Sequence, residues 1–116
     1  IFSRIYNSKK IMPHTDATGK LMSMIYYFAD NNWSKESGGN TVFWKTKEKW
    51  NNWKNTHVDE KNFEDFSNEN KVLHEAVFEP NKLICFFKSG CSWHSVNEIN
   101  PKENNSRKVL NIFIRY

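Results

Sequence analysis

The chain has 116 residues, with nine Phe, five Trp and four Tyr, and 17 basic against 13 acidic side chains. That length suits one domain with a small core, and so many aromatics exclude a disordered chain. The formal charge of +4 is spread along the sequence and alternates in sign, which reads as a solvated surface and not as a nucleic-acid face; no apolar run approaches the roughly 20 residues of a membrane span.

Residues 1–116 are therefore read as a single domain. The opening IFSRIY has no initiator Met and no signal-peptide pattern, as expected of an N-terminally truncated chain. Cys85 and Cys91 are read as free thiols in a reducing, cytoplasmic compartment; with His94 they do not make the four ligands of a structural zinc site.

In chain order, the first motif is HTD, residues 14–16. Residues 21–29, LMSMIYYFA, read as a strand closed by the turn signal DNN. GGNTVFWK begins a second strand, with Gly38 and Gly39 expected to permit a tight turn into it. Residues 45–70 break the pattern. They are polar, rich in Asn and Lys, and dotted with aromatics. Trp50 and Trp53 stand at i,i+3, so a short helix is expected around them, within a long surface excursion or lid. HEAVFEP is a weaker strand candidate. LICFFK, residues 83–88, is a short apolar run closed by SG. GCSWHSV then brings His94, and KVLNIFIRY, residues 108–116, is the last strand. No long 3.6-period helix occurs, so the class is mainly β, a sandwich or barrel.

Residues i and i+2 of a strand face the same way, so His14 and Asp16 are expected to aim an imidazole and a carboxylate at one point, with His94 closing the triangle. Two histidines and one carboxylate on one face of a metal leave the other face open, which suits non-haem Fe(II). On the last strand Arg107, Val109, Asn111 and Phe113 share one face, and Lys108, Leu110, Ile112 and Ile114 the other. If the first face lines a barrel, Arg107 offers a bidentate guanidinium to a dicarboxylate.

In this order HTD, MIYYFADNNWSKESGG, NKLICFFKSGCSWHSV and RKVLNIFIRY resemble the iron(II)- and 2-oxoglutarate-dependent dioxygenases, and most closely their prolyl-4-hydroxylase-like branch. The resemblance covers most of the chain except residues 45–70. It implies a double-stranded β-helix, the jelly roll or cupin-like barrel, with few or missing flanking helices, since almost nothing precedes Tyr6. A missing segment would expose the Leu110, Ile112 and Ile114 face. It implies His14, Asp16 and His94 as iron ligands. Arg107 would pair with the distal carboxylate of 2-oxoglutarate, Tyr27 would hydrogen-bond that carboxylate, and Tyr6 would line the cosubstrate pocket. The cofactors implied are Fe(II) and 2-oxoglutarate, with ascorbate as a candidate reductant. The carboxylate of Asp16 favours hydroxylation over halogenation, because related halogenases carry a small residue there. A peptidyl proline is the first substrate to consider, followed by a small molecule. Nucleic acid is not expected as a partner, nor is a membrane. Two other readings compete: a cupin-like metal-binding isomerase or binding protein, which does not call for Arg107 and Tyr27, and a nucleic-acid demethylase whose aromatic excursion stacks bases. His57 and His74 fall outside the motifs and are read as surface or packing histidines. Trp93 is read as packing.

Overall fold

The computed structural model describes residues 1–6, 9–54, 56–102 and 105–116, and only the backbone of Lys9. Eight strands follow one another: β1 (Phe2–Ile5), β2 (Lys9–His14), β3 (Lys20–Tyr27), β4 (Thr41–Lys45), β5 (Lys71–Ala76), β6 (Leu83–Phe87), β7 (His94–Ile99) and β8 (Arg107–Arg115). They make two four-stranded antiparallel sheets, in the orders β1-β8-β3-β6 and β2-β7-β4-β5. This is the expected jelly roll with few helices. The one α-helix among the described residues, α1 (Phe63–Glu69), has seven residues. None is long and apolar enough to cross a membrane.

The period-two pattern of β3 and β8 sets the two faces of the first sheet. Ser23 and Tyr27 on β3, and Arg107 and Val109 on β8, are buried between the sheets. Met22 and Met24 pair instead with Ile114 and Ile112 on the outside. There Ile112 and Ile114 are each 41% exposed, beside Leu83 and Phe87 of the edge strand β6.

The core falls into two clusters, one of Tyr27, Phe78 and Val109 and one of Val42, Trp44, Val58, Phe66 and Trp93. The second cluster explains the 45–70 excursion and corrects the expectation of a helix over Trp50 and Trp53. Only a 3-10 turn, Glu48–Trp50, forms there; the α-helix lies further on, at α1. Phe66 of α1 is fully buried and meets Trp44 and Trp93 with ring centroids 5.2 Å from each. A seven-residue helix is too short to hold itself, so this aromatic contact fixes it.

The excursion is tied down near its ends and along its length. Asn70 Oδ1 accepts from the Lys47 N–H at 2.8 Å, and Glu69 accepts from the Trp50 indole at 2.9 Å. Midway, the Asn52 N–H donates to the Gly90 carbonyl, the Val58 N–H to that of Pro13, and the Thr15 hydroxyl to that of Lys54. The segment is thus laid over the HTD turn and the turn before His94. Asn55 lies outside the described residues.

Candidate metal centre

His14 is the last residue of β2 and His94 the first of β7, and they are register partners across the ladder. Antiparallel neighbours bring Cβ atoms to about 5 Å, and the two rings stand with centroids 4.3 Å apart. Asp16 reaches them by a route that strand alternation did not foresee. β2 has already ended, and Asp16 adopts the left-handed conformation at φ 75°. That turn swings its carboxylate back over the strand end. One oxygen, Oδ1, lies 3.3 Å from His14 Nε2 and 3.4 Å from His94 Nε2. The other, Oδ2, accepts the Ser23 hydroxyl at 3.1 Å.

The tautomers follow from the backbone. His14 Nδ1 lies 3.0 Å from the Met12 carbonyl and His94 Nδ1 2.8 Å from that of Ser92. A carbonyl only accepts, so Nδ1 carries a proton in both rings; each Nε2 faces Asp16 Oδ1, shares its proton with that carboxylate while the site is metal-free, and is the atom that would give it up to present a lone pair to a metal. Burial pushes His94 further down, towards the neutral imidazole that a metal needs. Burial pushes Asp16 up, but the hydrogen bonds and charges of His14 and His94 outweigh it, and the carboxyl sits well below the usual range. The three ligand atoms lie within 4.8 Å of one another. Donors about 2.1 Å from a common centre and at right angles to each other are about 3.0 Å apart, close to the spacings found. The site therefore fits a first-row divalent ion held on one face. The structure brings His14, Asp16 and His94 together as the sequence led us to expect.

A cavity of about 240 Å3 lies between the sheets, lined by the three residues above together with Thr41, Arg107 and Asn111. Arg107 is 3% exposed. Its Nε donates to the Gly39 carbonyl at 2.7 Å and its Nη2 to Thr41 Oγ1 at 3.2 Å, while its Cζ lies 5.4 Å and 5.2 Å from the ring centres of Tyr27 and Phe78. Burial pulls it down from its ordinary value, yet a guanidinium keeps its charge. Among the described residues no carboxylate pairs with it. A buried cation without a counter-ion is costly unless a ligand anion supplies one.

Tyr27 is buried against this arginine, but its hydroxyl meets Thr41 Oγ1 and the Ala76 carbonyl and does not line the cavity. Thr41 stands where the sequence had placed the phenol. No local motif marked it; only its inward register on β4, two residues after Gly39, does so. Tyr6 is not brought to the cavity at all. It is 58% exposed, under the Arg4 guanidinium. His57, read as a surface or packing histidine, is exposed and packs on His14: it forms a β-bridge with it, and their rings stack at 5.4 Å and 17°. His74 is exposed on β5 beside Phe43, and Trp93 is core at 1% exposure, both as expected. Cys85 and Cys91 are free and exposed.

Gly38 and Gly39 serve the same cavity. Both have positive φ, 69° and 81°. A Cβ on Gly38 would lie 2.0 Å from the Glu98 carbonyl oxygen, and one on Gly39 3.1 Å from Arg107 Cδ. Only glycine lets the chain pass this close to β7 and to the arginine.

Residues 2–115 match the family model of the 2OG-Fe(II) oxygenase superfamily. No curated protein matches the chain significantly. A match over nearly the whole length means that the chain belongs to this superfamily, whose members are oxygenases using Fe(II) and 2-oxoglutarate.

Proposed function

We propose that this member of the 2OG-Fe(II) oxygenase superfamily holds Fe(II) through His14, Asp16 and His94, pairs the distal carboxylate of 2-oxoglutarate with Arg107, and hydroxylates a C–H bond of its substrate with release of succinate and CO2. The observation that carries this reading is the shared cavity: three converging metal-type donors and a buried, uncompensated guanidinium line the same 240 Å3 space. That volume is below the ~300–1,000 Å3 of sites for drug-sized ligands. It suits a small dicarboxylate, with the substrate approaching from the mouth.

When bound, the metal supplies the activation of oxygen and the oxidising power. The chain supplies position and charge. The Nδ1–H bonds to the Met12 and Ser92 carbonyls fix both imidazoles with Nε2 inward. Ser23 holds one oxygen of Asp16 so that the other faces the metal position. Arg107 is set by Gly39 and Thr41, and Thr41 is set by Tyr27, so Tyr27 acts on the cosubstrate carboxylate through Thr41. The low-dielectric surroundings strengthen the charge pairing.

Asp16 favours hydroxylation, because a carboxylate occupies the position that a halide would need. The likeness of the motifs to the prolyl-4-hydroxylase-like branch makes a peptidyl proline the first substrate to test, with ascorbate as reductant. The free cysteines support a reducing, cytoplasmic setting. A cupin-like isomerase would not need Arg107. The experiment is a substrate panel, including prolyl peptides, given to the iron-loaded protein with succinate as the readout. Substrate-stimulated succinate supports the reading; metal binding without any 2-oxoglutarate consumption removes it.

A further inference from the structure

Lys88 is 8% exposed, and its Nζ is buried without a hydrogen-bond partner among the described residues. It follows Phe87 at the end of β6, on the inward side shared with Ile84 and the cavity-lining Phe86. Its N–H continues the ladder to the Leu21 carbonyl at 2.9 Å. In that ladder Phe86 is opposite Ser23, which holds Asp16, so the next inward residue, Lys88, stands at the Lys20 end of β3; in keeping with this, burial and Lys20 push its ammonium down and Asp16 pulls it up. Lys20 itself lines the cavity, with Nζ 3.7 Å from Asp16 Oδ1 and 3.7 Å from the centre of the Phe113 ring. Lys20 therefore flanks the carboxylate of the metal triad within the cavity, and Lys88, outside its lining, stands at the end of the strand that supplies Phe86.

The charges do not balance with the cosubstrate alone. A divalent metal, Arg107 and the carboxylates of Asp16 and 2-oxoglutarate cancel, since the cosubstrate carries two negative charges. Lys20 and Lys88 are left over. Among the described residues no carboxylate is paired with Lys88, and that of Asp16 is committed to the metal position and to Ser23. Apart from the Trp53 ring, 6.0 Å from its Nζ, the Lys88 ammonium meets no partner among the described residues, and a buried charge left so is costly. The surplus is what a second anion would cancel.

Resting on the reading of the centre given above, we propose that Lys20 and Lys88 form an anion subsite beside the metal, and that the substrate carries a carboxylate close to the carbon that is hydroxylated. The lysines select this group; they do no chemistry on it. A free amino acid or similar small acid meets the requirement, as does a proline at a peptide's C-terminus; an internal prolyl residue does not, so the subsite narrows the substrate panel given above.

The test uses the Mn(II)-loaded protein, with and without saturating 2-oxoglutarate, and reads the paramagnetic relaxation of the methyl protons of acetate and of acetamide. These probes match in size and differ in charge. Acetate is expected to bind about tenfold or more tightly than acetamide, the scale of one charge-assisted hydrogen bond. In Lys20→Met/Lys88→Met the two are expected to bind within about twofold of each other, with 2-oxoglutarate affinity essentially kept. Equal binding of the two probes by the unmodified protein overturns the proposal. So does an acetate preference that survives in the double variant, which would put the anion on the metal. A loss of 2-oxoglutarate affinity as large as that of Arg107→Ala also overturns it, by giving the lysines to the cosubstrate's other carboxylate. A second readout is stability: Lys88→Met is expected to melt at or above the unmodified protein, and a clearly lower Tm would make Lys88 structural. If Mn(II) recruits no 2-oxoglutarate, the functional reading fails, and the acetate comparison in its absence still decides the subsite.

Discussion

Arg107 donates from Nε to the carbonyl of Gly39 at 2.7 Å, and that glycine is held at φ 81° with its missing side chain facing Arg107 Cδ. The turn into β4 thus sets the guanidinium. Gly39→Ala is expected to push Arg107 by a few tenths of an ångström and to strain the turn by about 1–2 kcal/mol. Calorimetry should find 2-oxoglutarate binding weakened by roughly tenfold or more, with metal affinity unchanged. Unchanged cosubstrate binding would show that the carbonyl does not position the arginine.

Removing the guanidinium should have a larger effect. Arg107→Ala loses a charge-assisted bidentate partner and is expected to weaken 2-oxoglutarate by about two orders of magnitude. Lys108 faces outward, half-buried, towards Asp30 at 3.5 Å, so Lys108→Ala should change the affinity little. A large effect at Lys108 with none at Arg107 would contradict the strand register.

The triad is predicted to separate metal binding from folding. His14→Ala, Asp16→Ala and His94→Ala should each abolish Fe(II)-dependent turnover and leave a cooperative melt, because the three groups converge on a cavity and not on the packed clusters. Saturating metal should raise the Tm of the unmodified protein, with about 2.7 kcal/mol available at a hundredfold excess over Kd. The variants should lose that rise. Full activity in His94→Ala would remove the assignment.

The strands were legible because their alternation is local: in β8 the sequence separates Arg107 and Val109 from Ile112 and Ile114, and burial separates them in the same way. The pairing of His14 with Asp16 was legible as a motif, though its geometry was not. Alternation pointed to one strand face, whereas a left-handed turn at Asp16 does the work. Thr41 and His57 gave no local signal, since each matters through a partner far along the chain: Arg107 and His14. Helix α1 was missed for the same reason. Its two aromatics, Phe63 and Phe66, are too sparse for a helical pattern until Trp44 is placed beneath them. One clue was available for Lys88: a single lysine at inward parity in LICFFK has no place in an ordinary apolar strand end.

The open face of the first sheet should govern solubility. Phe87 is 68% exposed and Ile112 and Ile114 are each 41% exposed on the same sheet face, with β3 between their strands, an apolar patch of the kind that promotes association. Phe87→Lys puts a charge on the edge strand β6 and Ile112→Thr keeps a β-former in β8, and together they should lower concentration-dependent light scattering. The metal and 2-oxoglutarate affinities should not move, because both side chains point away from the cavity.

The last prediction concerns residues 45–70. Trp50 is an anchor, with its ring 5.1 Å from that of Phe66 and its indole bonded to Glu69. Trp53 is different. It is 63% exposed, its indole lies over Gly90, and the Lys88 ammonium stands 6.0 Å from its ring centre. The neighbouring Lys54 carbonyl holds Thr15, between two of the metal-type ligands, and His57 lies on His14. The segment therefore flanks the metal side of the barrel, where a polar loop on a rigid scaffold is placed to govern recognition. Trp53→Ala removes an exposed ring without touching a core cluster, and should leave Tm and 2-oxoglutarate affinity nearly unchanged while lowering turnover of the true substrate. Trp50→Ala should instead lower stability, by about 2–4 kcal/mol for a partly buried aromatic. Replacing residues 51–54 by a short Gly-Ser link should combine the first effect with faster succinate release uncoupled from substrate, as the cover over Lys88 and Gly90 is lost. Equal loss of metal binding and substrate turnover in Trp53→Ala would mean that the ring supports the HTD turn, and its role in recognition would have to be given up.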